Sequence, residues 1–199
     1  MNLILFFNGW GMDKNCISEI KIPINFYLQV INFPYDYDVK KLKKYEKVYF
    51  TGWSFGAWYL SKFIIENEIK SQNVIGINGH GEIIGEYGIK EKMIDFTIKN
   101  LTEKSILKFY KNMGMTDEPK ISQKKIFSIK NELIYFRKNY MPLKNVFQKI
   151  IIGKKDKIIP FKNQKKYCCE NNIKCIEKDF YHFPFENIKD WNEIIGERE

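Results

Sequence analysis

Arginine and histidine are both scarce in this chain of 199 residues: Arg137 and Arg198 are the two arginines, His80 and His182 the two histidines. No apolar run approaches the roughly 20 residues that a membrane-spanning helix needs. The opening MNLILFFNGWG has neither a basic leader region nor a small-residue cleavage site, so neither a signal peptide nor a membrane anchor is expected. The four cysteines (Cys16, Cys168, Cys169 and Cys175) show no paired metal spacing, and adjacent cysteines seldom bridge each other, which points to reduced structural thiols. With no P-loop, dinucleotide fingerprint or metal-ligand cluster in the sequence, neither cofactor nor metal is expected. A cytoplasmic protein follows from these readings, with a monomer as the expected state.

Positive charge, in contrast, is abundant. The formal net charge is +9, which raises the question of nucleic acid, since neutralising phosphates drives such binding. Lysine, isoleucine and asparagine are plentiful throughout, however, and a composition bias of that kind inflates lysine without building a basic face. No nucleic-acid partner is expected, and the location of the excess matters more than its size.

Strand and helix patterns alternate along the chain. Leu3 to Phe7 reads as a strand buried on both faces, Phe26 to Asn32 as a second, Val48 to Thr51 as a third and Asn73 to Asn78 as a fourth. A short lysine-rich helix is expected over Asp38 to Tyr45, and Ala57 to Ile69 has helical spacing. From about Gly85 to Asn145 the rhythm changes to helices alone, around Met93 to Asn100, Glu103 to Met113 and Lys130 to Tyr140. Strands at Val146 to Ile152 and Ile173 to Lys178 then resume it, with helices near Lys162 to Glu170 and from Glu186 to Ile195. The expected fold is α/β: a mostly parallel sheet with helices on both faces, in one domain over 1–199, carrying a helical lid at about 85–145.

The stretch VYFTGWSFGAW (Val48 to Trp58) reads as strand, sharp turn and helix with Ser54 at the apex. Gly52 and Gly56 remove the Cβ atoms that such a turn cannot accommodate. A serine nucleophile needs a base and an orienting acid, and where the serine stands in a G-x-S-x-G turn they follow in the order serine, acid, histidine. Asp156 follows the strand ending at Gly153, and His182 follows the last strand, both where open parallel sheets bind ligands. Asp179 is the rival acid, less favourably placed because it lies only three residues before His182. His80 reads as a solvated loop residue in preference to a pocket residue. Backbone N–H groups of Phe55 and Trp10 are the expected oxyanion donors, Trp10 standing between two glycines in a position ill suited to a core. Trp10, Trp53 and Phe55 are candidates for an apolar substrate wall, although Trp53 could equally pack beneath the turn.

Taken together, FFNGWGMD at the start, GWSFGAW at the turn, GKKDKIIP around the acid and HFPFE at the base identify a resemblance. The chain resembles the α/β-hydrolases and, more narrowly, the small pimeloyl-[acyl-carrier-protein] methyl ester esterases of biotin synthesis, the branch called BioG. As in that branch, the first strands of larger hydrolases are expected to be missing. The resemblance implies hydrolysis of the methyl ester of pimeloyl carrier protein to methanol and pimeloyl carrier protein, with acyl carrier protein as the partner. Between residues 85 and 145, thirteen Lys and Arg face seven Asp and Glu, a net +6. A basic lid would steer an acidic carrier, with Arg137 the first expected contact, then Lys138, Lys124 and Lys125; a merely lysine-rich surface is the competing reading. Two other functions stay open on the residues alone: an esterase or thioesterase for another short acyl ester, and a non-catalytic module that binds an acidic partner.

Overall fold

The computed structural model describes residues 1–116 and 122–196. Its centre is β1 (Asn2–Phe7), whose residues Leu3 to Phe7 have no exposed surface. Successive side chains of a strand point to opposite faces, so complete burial of five in a row requires the sheet to be covered on both sides at this strand. The other strands are β2 (Phe26–Ile31), β3 (Val48–Trp53), β4 (Val74–Ile77), β5 (Lys149–Gly153) and β6 (Lys174–Lys178). They pair in parallel in the order β2-β1-β3-β4-β5-β6. The chain leaves β1 on one side and returns on the other, so the order reverses between β1 and β3. On open sheets that switch point is where a crevice forms beyond the carboxyl ends.

Helix α1 (Phe55–Glu66) packs on β3 and β1, and α5 (Phe161–Glu170) on β5 and β6. Between β4 and β5 stand α2 (Glu91–Asn100), α3 (Glu103–Asn112) and α4 (Ile126–Asn139), where helices alone were expected. A capping box at Thr102 and Ser105 starts α3. Arg137 on α4 reaches back to Glu91 and Asp95 at 2.5 and 2.8 Å, tying α4 to α2. The last helix, α6, is only Asn192–Ile195.

Several boundaries differ from expectation. Val39–Lys44 is a 3-10 turn, not an α-helix: its apolar residues Val39 and Leu42 stand three apart, the period of a 3-10 turn, and pack against the edge of the core without being fully buried. The expected helix from Glu186 is cut down because Lys21 exchanges backbone bonds with Lys189 and Trp191, drawing that stretch into a bridge. β5 starts at Lys149 because Gln148 turns its side-chain oxygen to the Val74 N–H and Asn145 caps the Phe147 N–H. Conversely α4 begins four residues earlier than its apolar spacing suggests.

His80 departs most from its sequence reading. It is fully buried, stacked on Tyr167 with ring centroids 4.0 Å apart, and its Nδ1 accepts the Glu82 N–H. Burial pushes its pKa from the ordinary 6.5 down to about 3. The unfolded chain takes up that proton first, so the neutral ring's contribution to stability is complete above the ordinary value and lost as pH falls through the folded one. Melting temperature should therefore fall for the wild type between those two values. His80→Phe, which keeps a stacked ring without a titrating group, should give a shallower slope; identical slopes would contradict the assignment.

Candidate functional site

Ser54 joins β3 to α1 with φ 55° and ψ −126°, a left-handed backbone that a residue bearing a Cβ rarely adopts. The conformation is held from both sides: the Ser54 N–H donates to Ile77 O, and Ser54 O accepts from the Ala57 N–H. Close backbone approaches make it possible. A Cβ on Gly56 would lie 2.1 Å from Phe7 O, and one on Gly79 would lie 2.5 Å from Ser54 O. The serine is thereby presented at the end of β3, beside the switch point.

Ser54, Asp156 and His182 are brought together from three strand ends. His182 Nε2 lies 2.8 Å from Ser54 Oγ, and His182 Nδ1 lies 2.8 Å from Asp156 Oδ2. Asp156 Oδ1 also accepts the N–H groups of Ile158 and Ile159, and Oδ2 accepts Gln164 Nε2. A carboxylate surrounded by donors can only accept, so the proton of this ring belongs on Nδ1, and Nε2 is left to accept from the serine hydroxyl. Asp179 is elsewhere, exposed and paired with Lys155 at 2.8 Å.

Two positioning residues escaped the sequence reading. Asn78, buried at the end of β4, donates through Nδ2 to Tyr181 O and His182 O and accepts the Gly153 N–H on Oδ1. It thus ties the loop of Asp156 to the loop of His182. Gln164 is the second, a buried polar residue on the same face of α5 as Tyr167 and Cys168. Its polarity on an apolar face was a signal, since a buried amide requires partners. Asn78 had a signal in its place at a strand's carboxyl end, ahead of two glycines.

Trp53 resolves toward support. It is buried beneath the turn against Phe183 and Phe185, and its Nε1–H donates to His182 O at 2.9 Å, while one edge still reaches the cavity. Trp10 is buried, contrary to the expectation that it would be poorly placed for a core. Its indole stacks with Phe55, meets Phe109 edge-on and donates Nε1–H to Ile129 O. The helices between β4 and β5 supply the apolar surroundings that the strand and its two glycines do not. The backbone N–H groups of Trp10 and Phe55 have no partner among the described residues, and both residues border a cavity of about 600 Å3 with Ser54.

That cavity falls within the roughly 300–1,000 Å3 of small-molecule pockets. Ile94, Leu101, Met113 and Leu133 are among the residues of its apolar wall, and exposed Lys90, Lys108 and Lys157 border it. The cations singled out in the sequence divide. Arg137 is engaged with Glu91 and Asp95, and Lys124 with Glu132 at 2.6 Å, whereas Lys125 and Lys138 are exposed. Pairing within the helices uses the first two, which a count of charges along the chain could not reveal.

A structure of BioG from Haemophilus influenzae superposes with TM-score 0.85, covering 98% of this chain and 94% of that one at 21% identity. A lipase-esterase related protein from Clostridium acetobutylicum gives 0.65 over 92% and 88% at 15% identity. The malonyl-[acyl-carrier protein] O-methyltransferase of Bacteroides fragilis is 33% identical over 184 residues, 84% of this chain and 37% of that protein. A second curated protein, from Haemophilus influenzae, is 29% identical over 54% of this chain and 50% of its own length. The chain thus spans half or less of the curated relatives it matches. The family model described as pimeloyl-ACP methyl esterase BioG matches residues 1–194, and the chain belongs to that family.

Proposed function

We propose that this protein is a serine esterase that hydrolyses the methyl ester of pimeloyl-[acyl-carrier protein], releasing methanol and pimeloyl-[acyl-carrier protein] for biotin biosynthesis. The observation that carries the reading is the alignment of Ser54 Oγ, His182 and Asp156 at successive 2.8 Å contacts, on the border of an apolar cavity, in a member of the family of that name. Ser54 attacks the ester carbonyl as His182 Nε2 takes its proton, and Asp156 holds the imidazole tautomer and stabilises the imidazolium. The N–H groups of Trp10 and Phe55 receive the carbonyl oxygen as it becomes negative, a contact stronger in the transition state than in the bound ester. His182 then protonates departing methanol, and water activated by the same ring cleaves the acyl-serine.

The substrate's chemistry fits the cavity's two characters. An acyl chain gains from burial against Ile94, Leu101 and Leu133, at about 25 cal/mol per Å2 of apolar surface removed from water. An acidic carrier remains outside, where Lys90, Lys108 and Lys157 border the opening and Lys125 and Lys138 are exposed. A relative named for malonyl-[acyl-carrier protein] supports a carrier-borne substrate. Attraction between an acidic carrier and these lysines acts mainly on encounter and is screened by salt.

Wild type should release methanol from pimeloyl-carrier-protein methyl ester, whereas Ser54→Ala should lose at least about a thousandfold in kcat. Equal rates, or methanol release from neither, would overturn the proposal. Charge reversal at Lys125 and Lys138 together should raise KM for the carrier-borne ester several-fold and leave hydrolysis of a small p-nitrophenyl ester unchanged. Parallel changes with both substrates would remove these lysines from the carrier surface.

A further inference from the structure

We infer that Glu132, with Lys124 as its counter-ion, is the positioning residue that aims the Trp10 N–H at the substrate's carbonyl oxygen. The inference rests on the esterase reading and adds to that site a part supplied by the helices between β4 and β5.

Trp10 sits in the loop after β1, and the N–H groups around it are already engaged. That of Gly9 donates to Asn8 Oδ1 at 2.9 Å, that of Gly11 to Glu132 Oε2 at 2.9 Å, and that of Met12 to Gly9 O at 3.2 Å. Among the described residues, only the Trp10 N–H of these four lacks a partner. Peptide groups are planar, so that N–H lies in the Gly9–Trp10 plane, and its direction follows the shape of the turn from Gly9 to Met12. The Gly9–Trp10 plane is fixed within the loop, through Gly9 O. The next plane, Trp10–Gly11, is the central peptide of the turn that the Met12 N–H to Gly9 O bond closes, and it is fixed from 121 residues away in sequence, through the Glu132 carboxylate, so the shape of the turn that holds the Gly9–Trp10 plane depends on Glu132.

Other contacts show that α4 serves as the loop's template. Ile129, three residues before Glu132 and so on the same helix face, accepts the Trp10 indole N–H at 2.7 Å. Gly11 has φ +71°, and a Cβ there would sit 3.0 Å from Ile129 Cγ2. Apolar packing of this kind fixes where the loop lies, but it does not fix the rotation of a peptide plane. A carboxylate aimed at one N–H does.

The choice of a charged acceptor carries its own requirement. Glu132 is 5% exposed, and a buried carboxylate with a single neutral donor is unfavourable. It would also oppose the negative charge forming on the substrate oxygen. Lys124 Nζ, 2.6 Å from Glu132 Oε1, offsets both effects. Lys124 is itself held by a short connection: its N–H donates to Ser122 Oγ, and the neighbouring Gln123 N–H donates to Asp13 Oδ2 in the same loop that carries Trp10.

The test uses the full chain with a small p-nitrophenyl ester and a trifluoromethyl ketone, whose tetrahedral serine adduct carries an oxyanion. Misaiming one oxyanion donor should appear in kcat and in ketone affinity rather than in KM. Glu132→Ala should lower both by about a hundredfold with KM within about twofold. Glu132→Gln, which keeps an oxygen for the Gly11 N–H, should recover most of that loss. Wild-type kcat in Glu132→Ala would overturn the inference, as would a lowered kcat with undiminished ketone affinity. If Glu132→Ala does not fold, Lys124→Met decides: the uncompensated carboxylate should depress kcat and ketone affinity together, and unchanged values of both would overturn the role. Should wild type turn over no ester, the esterase reading falls and this inference with it; should wild type be active and Glu132→Ala match it, only the positioning role falls.

Discussion

The backbone of Gly56 lies so close to the carbonyl oxygens of Phe7 and Asn8 that a Cβ there would overlap both. That contact presses the start of α1 against the end of β1, and the rest of the functional edge depends on it. It sets the loop that carries Trp10 beside the serine turn, on either side of the point where strand order reverses. It also accounts for the strain at Ser54: a chain leaving β3 so close to β1 must turn sharply, and the positive φ of Ser54 is the result. Strain of this kind costs on the order of 1–3 kcal/mol and persists only where surrounding contacts over-determine it. Here those contacts are the β3–β4 ladder, the Ile77 carbonyl and the backbone of Gly79.

A second layer of hydrogen bonds carries this order outward to His182 and Asp156. The His182 carbonyl receives both Trp53 Nε1–H and Asn78 Nδ2–H, so the residue that follows β6 is held by residues of β3 and the end of β4. Asn78 also receives the Gly153 N–H, which fixes the start of the loop that carries Asp156. The helices between β4 and β5 complete the site from the other side. They bury Trp10, supply the apolar wall and place Glu132 on the loop. These helices are therefore part of the proposed catalytic framework as well as its cover.

The strands and the serine turn were legible in the sequence because their signals are local. Five apolar residues in a row, two glycines around a serine, and an acid and a histidine each following a strand all express constraints that act within a few residues. What escaped was set by partners far along the chain. His80 looks like a loop residue until Tyr167 closes over it, and Arg137 looks free until α2 brings Glu91 and Asp95 beneath it. Lys124 and Glu132 stand eight residues apart and read as two ordinary surface charges; only the path of the chain before α4 makes them a nearly buried pair. The net charge of the inserted helices was countable, but the division between paired and exposed cations was not.

Covalent labelling tests most directly whether Ser54, presented by the turn after β3 and bonded to His182, is the proposed nucleophile. Peptide mass spectrometry after treatment with a fluorophosphonate should find one adduct per chain, on Ser54, and none in Ser54→Ala. An adduct on another residue, or labelling that persists in Ser54→Ala, would contradict it.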